Sequence, residues 1–308
     1  MVFHIILNPA GASGRALDKW KKVKHLFAGC DFKLHRSTEE RSIGDICREL
    51  TTDTSGEDVY LVVIGGDGTL NEAVNGIEDI EHTLFGFIPC GTGNDMQRDM
   101  SLPKSDSELV SLIKEGRQRR CADIGELTFY GEGKVIKRLF NISSDIGFGA
   151  ATCAYADKSR LKPILNNLGL GRMIYLIEAI KVCFTVKPAN VKVSCGGKSR
   201  LYKGCLSAIV MNHKHEGGGF EFCPNADFTD GKLDLCLGSR ISKLGYLRLL
   251  PYALKGKHLK LRGVYTGRGD VIKMSCDVPM WAHTDGEVLG KADKVEMRII
   301  PEKLRLIV

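Results

Sequence analysis

Unbroken apolar runs that end in glycine-rich turns recur along the first hundred residues. Tyr60, Leu61, Val62, Val63 and Ile64 form one such run. Its continuous, β-branched character predicts a strand covered on both faces, as in a parallel sheet. It leads into Gly65-Gly66-Asp67-Gly68-Thr69-Leu70-Asn71-Glu72-Ala73-Val74-Asn75-Gly76, a turn with a helix behind it. A second run, Leu84-Phe85-Gly86-Phe87-Ile88, leads into Pro89-Cys90-Gly91-Thr92-Gly93-Asn94-Asp95. A third, opening at Phe3, leads into Asn8-Pro9-Ala10-Gly11-Ala12-Ser13-Gly14, and a helix is expected from Ala16 to Phe27. Alternating strands and helices over residues 1–124 predict an α/β domain.

Beyond Asp123 the pattern shortens to β-rich pieces: Lys134–Ser143, Ala189–Cys195, Cys205–Asn212, Lys232–Leu237, Val271–Cys276 and Val295–Ile299. Helical patterns near 161–184 and 242–255 interrupt them. Residues 125–299 therefore read as a second, mainly antiparallel domain. No internal repeat or low-complexity linker separates the two.

The glycine turns carry the first candidate chemistry. Gly65, Gly66 and Gly68 remove side chains where a ligand would approach the backbone, and the following helix aims its first N–H groups at that space. Asp67 adds a carboxylate for Mg2+ or for a proton. In open α/β sheets ligands bind at the carboxyl ends of the strands, so the turns are expected to face one crevice. The GxxxxGK[ST] loop with its lysine is absent. A cradle of donors with an acid inside it points to phosphoryl transfer. Near the other end, Asp285 and Glu287 flank Gly286 on the strand-like stretch Trp281–Val288. A period of two would put both carboxylates on one face, and paired carboxylates raise each other's proton affinity toward general-base duty.

The turns at 65–76 and 89–95, with the Asn8-Pro9 start running to Gly14, resemble the diacylglycerol kinase catalytic domain family. Within it they resemble the soluble bacterial lipid kinases, a group that also holds sphingosine and ceramide kinases. The likeness continues through Ala122-Asp123-Ile124-Gly125, Asn141 with Gly147-Phe148-Gly149, and Gly217-Gly218-Gly219-Phe220. It ends in Pro224-Asn225-Ala226-Asp227-Phe228-Thr229-Asp230-Gly231-Lys232-Leu233-Asp234 and Thr284-Asp285-Gly286-Glu287. Gln97 departs from it, where the family more often has a small residue.

This resemblance implies an NAD kinase/diacylglycerol kinase-like α/β domain followed by an all-β, sandwich-like domain. The tail, residues 300–308, would return to the first domain, and the active site would lie in the cleft between the two. It implies ATP as phosphoryl donor and Mg2+ as cofactor. The acceptor base falls at Asp285 with Glu287 assisting, and Asp67 is a second candidate for base. Asp67, Asp95 and Asp123 would serve Mg2+ and its waters together. Nucleotide contacts fall on Asn8, Thr38, Gly65, Gly66, Gly68, Glu72 and Thr92. Asp230 would bind a separate structural cation.

Charge and cysteine content narrow the partners. The net charge is +7, and no acid occurs between Asp234 and Asp270. Within residues 240–262, Arg240, Lys243, Arg248, Lys255, Lys257, Lys260 and Arg262 alternate with Leu244, Tyr246, Leu247, Leu249, Leu250, Tyr252 and Leu254. A basic, apolar segment of this kind suits contact with anionic membrane; the alternative is a solvated rim over ordinary core. Nucleic acid is not expected, since no recognition motif accompanies the charge. The apolar stretch Leu165 to Phe184 contains Arg172, Glu178 and Lys181, so it reads as an amphipathic or buried helix. Eleven scattered cysteines and a start that enters a strand by Phe3 suggest reduced thiols in a cytoplasmic protein held peripherally at a membrane. His213 and His215 read as ordinary polar residues. A sheet edge in the second domain could serve a homodimer.

Three functions compete at this point. The first is an ATP- and Mg2+-dependent kinase of a membrane lipid, diacylglycerol before monoacylglycerol, ceramide or a sphingoid base, giving phosphatidic acid in the first case. The second is a kinase of a soluble acceptor such as NAD, because that group also carries a GGDG turn. The third is a non-enzymatic nucleotide- or lipid-binding module, disfavoured because Asp67, Asp95, Asp123, Asp285 and Glu287 are all present.

Overall fold

The computed structural model describes residues 1–11, 14–91, 93–161, 165 and 171–308. The chain forms two units, Met1–Ile124 with Ile300–Val308 and Gly125–Ile299.

The first unit is built on parallel strands β1 (Val2–Leu7), β2 (Asp31–Arg36), β3 (Val59–Gly65) and β4 (Thr83–Pro89). They lie in the order β4-β3-β1-β2, and Arg305 and Leu306 pair in parallel with Leu84 and Phe85 at the β4 edge. The apolar runs are the centre of this sheet: Phe3, Ile5, Ile6, Leu7, Leu61 to Ile64, Phe85, Phe87 and Ile88 are all buried. Such burial is what stabilises strands covered on both faces, at about 25 cal/mol per Å² of apolar surface removed from water. The connecting helices are α1 (Arg15–Val23), α2 (Ile43–Thr51), α3 (Asp67–Gly76), α4 (Asp95–Met100) and α5 (Asp106–Lys114). Helix α1 is shorter than the 16–27 pattern predicts because Lys24–Phe27 tightens into a 3-10 turn. Helix α2 begins with a capping box in which Ser42 and Asp45 satisfy each other's backbone N–H groups.

The second unit is mainly antiparallel. The strand β5 (Arg120–Gly131) enters it and folds back on β6 (Lys134–Phe140). Then come β7 (Ser143–Gly147), α6 (Phe148–Lys158), α7 (Gly171–Thr185), β8 (Ala189–Cys195) and β9 (Lys198–Met211). The short hairpin β10 (His215–Glu216) and β11 (Phe220–Glu221) precedes β12 (Leu233–Ser239), α8 (Lys243–Ala253), β13 (Val264–Gly269), β14 (Val271–Thr284) and β15 (Glu287–Leu306). Strands β13, β12, β9, β7 and β14 are neighbours in that order, and β14 is hairpin partner to β15. Their inward residues, among them Phe129, Phe140, Val191, Val210, Leu235, Ile272 and Met297, make one apolar core.

Two elements depart from the sequence pattern. Residues 148–158 are helical; the alanines of FGAATCAYADK favour that state once Gly147, at φ +104°, turns the chain out of β7. The helix expected near 161–184 is α7 over Gly171–Thr185, and its stretches 162–164 and 166–170 lie outside the described residues.

Candidate functional site

Each unit carries its own cluster of polar residues. In the first unit, β3 and β4 deliver their turns side by side. The Cys90 N–H donates to the Gly65 carbonyl at 2.8 Å. A side chain on Gly91 would come within 2.8 Å of the Gly66 Cα, so the two turns touch backbone to backbone. Only glycine permits that approach. No side chain caps the start of α3. Its first-turn N–H groups have no partner within the helix and face the turn, which is the arrangement that receives a phosphate.

Asp67 stands at the first position of α3, and its Oδ2 accepts from the Asp95 N–H at 3.4 Å. A Cβ on Gly93 would lie 2.8 Å from Asp67 Oδ2 and 3.6 Å from Asp95 Oδ2. The carboxylates of Asp67 and Asp95 thus converge around Gly93. Asp95 is buried and ion-paired to Arg98. Asp123 is also buried, and its Oδ1 pairs with Lys303 Nζ at 2.7 Å. Among the described residues no three acidic, histidine or cysteine side chains form a ready cation cage. Two convergent carboxylates with backbone donors beside them nevertheless suit Mg2+, which takes one or two carboxylates and draws its remaining ligands from water and phosphate oxygens.

Other sequence-expected contacts serve the turns themselves. Asn8 Oδ1 accepts from the Ala10 N–H at 2.9 Å, and its carbonyl accepts from Gly11 at 2.9 Å. The Thr38 hydroxyl accepts from the Arg41 N–H at 3.2 Å in the turn after β2. Glu72 Oε1 accepts from the Ile43 N–H at 3.0 Å, bracing α3 against the start of α2. Thr92 lies outside the described residues.

In the second unit the period-two reading of Trp281–Val288 is overturned. Strand β14 ends at Thr284, which pairs with Glu287, and Asp285-Gly286 is the two-residue turn between them. Both turn residues have positive φ, +46° and +86°. That is the backbone of a type I′ hairpin, for which Asp-Gly is a preferred pair. The two carboxylates therefore do not share a strand face. Because β14 runs antiparallel to β7, the turn lies beside the loop entering β7. There the Asp285 carboxylate accepts three backbone N–H groups: Asn141 at 2.7 Å on Oδ2, and Ile142 at 2.9 Å and Ser143 at 2.8 Å on Oδ1. Glu287 is half exposed and ion-paired to Arg138.

Behind this turn lies a buried ionisable cluster that residue order does not disclose. His283 Nδ1 accepts the Gly286 N–H at 3.1 Å, which leaves its proton on Nε2. That nitrogen is 3.3 Å from Asp145 Oδ1 and 3.7 Å from Glu216 Oε1. The Ser143 hydroxyl donates to Glu216. Burial pushes the Asp145 carboxyl up to about 7 against the pull of the Ala150 and Gly149 N–H bonds. Burial likewise pushes Glu216 up to about 7, opposed by His283 and the Ser143 bond and reinforced by Asp145 and Asp285. Asp145, Glu216 and His283 adjoin the Gly147-Phe148-Gly149, Gly217–Gly219 and Thr284–Glu287 motifs, but they come from separate strands that residue order does not bring together.

Asp230 is met by a guanidinium. Arg268 pairs with it, and Arg268 Nε lies 3.4 Å from Asp234 Oδ2. Asp230 Oδ1 accepts the Lys232 N–H at 2.9 Å. The charge expected of a structural cation is supplied at that carboxylate by Arg268. His213 stacks on Phe228, with ring centroids 4.6 Å apart, and His215 lies 3.2 Å from Glu221, so each has a local partner.

A parallel α/β unit with two touching glycine turns, continued by an antiparallel β unit, defines the architecture common to NAD kinases and diacylglycerol kinases. A family model described as the diacylglycerol kinase catalytic domain matches residues 2–127. One described as the YegS C-terminal NAD kinase beta sandwich-like domain matches residues 144–308. The chain belongs to this diacylglycerol kinase family and is an enzyme of the lipid-kinase class. It is 27% identical over 297 residues to a diacylglycerol kinase of Bacillus subtilis strain 168, covering 93% of this chain and 89% of that one. Its fold matches a crystal structure of a diacylglycerol kinase from Bacillus anthracis strain Sterne, with a TM-score of 0.67, 19% identity and coverage of 99% and 96%. Yeast NADH kinase complexed with NADH also shares the fold, with a TM-score of 0.52, 10% identity and coverage of 98% and 81%.

Proposed function

We propose that the protein transfers the γ-phosphoryl group of ATP to the hydroxyl of a membrane lipid, diacylglycerol first, giving phosphatidic acid. The observation that carries the transfer chemistry is the contact of the Gly66 and Gly91 turns, with Asp67 and Asp95 at their rim. Backbone N–H groups of the turns and of α3 receive the nucleotide phosphates, with Gly65, Gly66 and Gly68 around them and Asn8 and Thr38 in neighbouring turns; Thr92 is the further nucleotide contact expected from the sequence. Asp67, Asp95 and Asp123 would hold Mg2+, which would supply positive charge to neutralise the phosphates.

In the second unit, Asp285 accepts the acceptor hydroxyl's proton. Its three amide bonds fix the carboxylate's direction, which is what in-line attack requires. Glu287, oriented by Arg138, assists. The lipid acceptor follows from family membership and from the diacylglycerol kinases among its relatives. Exposed Arg248, Lys255, Lys257, Lys260 and Arg262 of the 240–262 segment bring the enzyme to anionic membrane. Tyr246 is buried, and Leu247 and Leu249 pack against the core beside it, so part of that apolar stripe is structural. Among the described residues, no helix is long and apolar enough to cross a membrane.

The test is transfer of labelled γ-phosphate from ATP with Mg2+ to a panel in detergent micelles. The panel holds diacylglycerol, monoacylglycerol, ceramide, sphingosine and undecaprenol, with NAD and fructose 6-phosphate beside them. Label in diacylglycerol is the expected result. Label confined to another lipid would reassign the acceptor, and label in NAD alone would overturn the lipid reading.

A further inference from the structure

Helix α7 (Gly171–Thr185) carries its polarity inside out. A helix on a protein in water normally turns its charges outward and its apolar stripe inward. Here the one acid of the helix, Glu178, is 3% exposed. Its Oε1 accepts from the Ser159 hydroxyl at 3.0 Å and from Lys181 Nζ at 2.8 Å. Ile174, Val182 and Cys183 are buried with it. The outward arc is apolar instead. Met173, Leu176, Ile180 and Phe184 follow one another at spacings of three, four and four residues, which places them on one side of the helix. They are 44%, 50%, 45% and 55% exposed. Isolated exposed apolar side chains are ordinary, but a continuous stripe three turns long marks a contact surface.

The charges around the stripe say what it contacts. Lys181 and Lys187 are exposed beside it. Lys243 donates to the Phe184 carbonyl, and Cys183 Sγ donates to the Lys243 carbonyl at 3.0 Å, so α8 begins where α7 ends. From there Leu244, Arg248, Tyr252, Leu254 and Lys255 are exposed, and no acid occurs before Asp270. Exposed Lys158 and Arg160 stand on either side of Ser159, the residue that bonds Glu178. An apolar stripe in a basic rim complements a surface that is oily within and negative at its edge.

We propose that α7 docks the protein on an anionic lipid bilayer, its outward stripe entering the acyl boundary while Lys181, Lys187 and Lys243 meet the headgroups. The proposal rests on the lipid-kinase reading for its choice of partner. It goes beyond that reading by assigning the insertion surface to a helix outside the 240–262 segment.

The experiment is co-sedimentation of the full chain with vesicles of phosphatidylcholine, alone or mixed with phosphatidylglycerol, for the parent and for Ile180→Asp/Phe184→Asp. Both positions are exposed and lie outside the proposed phosphoryl-transfer machinery. The parent is expected to pellet with the mixed vesicles, and the double variant to partition about tenfold less or weaker still. Turnover of a monomeric short-chain diacylglycerol should be the same for both. Phe184→Trp supplies a second readout, a blue shift of fluorescence on mixed vesicles beyond that of the parent. Equal binding by parent and double variant, or no blue shift, would overturn the docking surface. So would a dimer in sedimentation velocity that the double variant dissociates, because the stripe would then face a second copy. A parent that binds vesicles through the stripe yet phosphorylates no lipid would leave the docking intact and remove the kinase reading instead.

Discussion

Replacing Asp285 by asparagine separates holding from catalysis more sharply than any other single change. Asparagine tolerates the positive φ of this turn, so the backbone costs little. Its carbonyl oxygen can keep the two N–H groups now on Oδ1, those of Ile142 and Ser143. Its amide nitrogen, however, would face the Asn141 N–H that Oδ2 now accepts at 2.7 Å. One charge-assisted bond is lost and one enclosed N–H is left facing a donor, together about 2–4 kcal/mol of stability. Turnover should fall at least ~100-fold, because the carboxylate can no longer take the hydroxyl proton. Urea unfolding with lipid phosphorylation at saturating ATP measures both effects. Near-normal turnover of a destabilised variant would leave Asp285 as a turn anchor only and pass the base to Asp67. An unchanged unfolding midpoint would mean that the amide bonds do not hold the turn.

Three further outcomes are expected. The folded protein keeps protons on Glu216 and Asp145 that the unfolded chain releases near pH 4, because burial has pushed both groups up to about 7. Their share of stability is therefore full below about pH 4 and is lost as pH rises toward 7. Glu216→Gln should accordingly show a smaller fall in denaturation midpoint between pH 5 and pH 8 than the parent, and an equal fall would refute that account. Gly93→Ala puts a methyl 2.8 Å from Asp67 Oδ2. It should cut turnover about 10- to 100-fold by displacing that carboxylate, with thermal stability little altered; unchanged kinetics would detach Asp67 from the reaction. Lys303→Met leaves Asp123 buried without its ammonium and should cost about 1–3 kcal/mol, the partial exposure of Lys303 moderating the loss. Adding Asp123→Asn should restore the unfolding midpoint without restoring turnover, and failure of that restoration would mean that the pair is not the cause.

The glycine turns were legible from residue order because their determinants are local. A both-faces-buried strand, glycines at its end and an acid opening a helix can be read within about twelve neighbouring residues, and β3, β4 and α3 occupy those positions. Asp285 and Glu287 were legible as a pair but not as a geometry. The Asp-Gly turn signal and the strand-like composition of Trp281–Val288 compete, and the register of β14 with β15 decided for the turn. The segment 240–262 was similarly divided, since its composition did not distinguish buried Tyr246 from exposed Leu244 and Tyr252.

By itself, then, the sequence determined what short-range backbone chemistry can specify: an α/β unit with glycine turns at its strand ends, an antiparallel unit after it, and the family to which both belong. Tertiary structure alone decided which charge meets which. Lys303 reaches Asp123 from the returning end of the chain, Arg268 of β13 reaches Asp230 in the loop before β12, and Glu216, His283 and Asp145 assemble from three strands. The same holds for Glu178, turned inward on a helix whose apolar stripe faces out. The reason is physical: side-chain ion pairs and burial depend on distances between segments far apart in the chain, and local pattern carries no information about those distances.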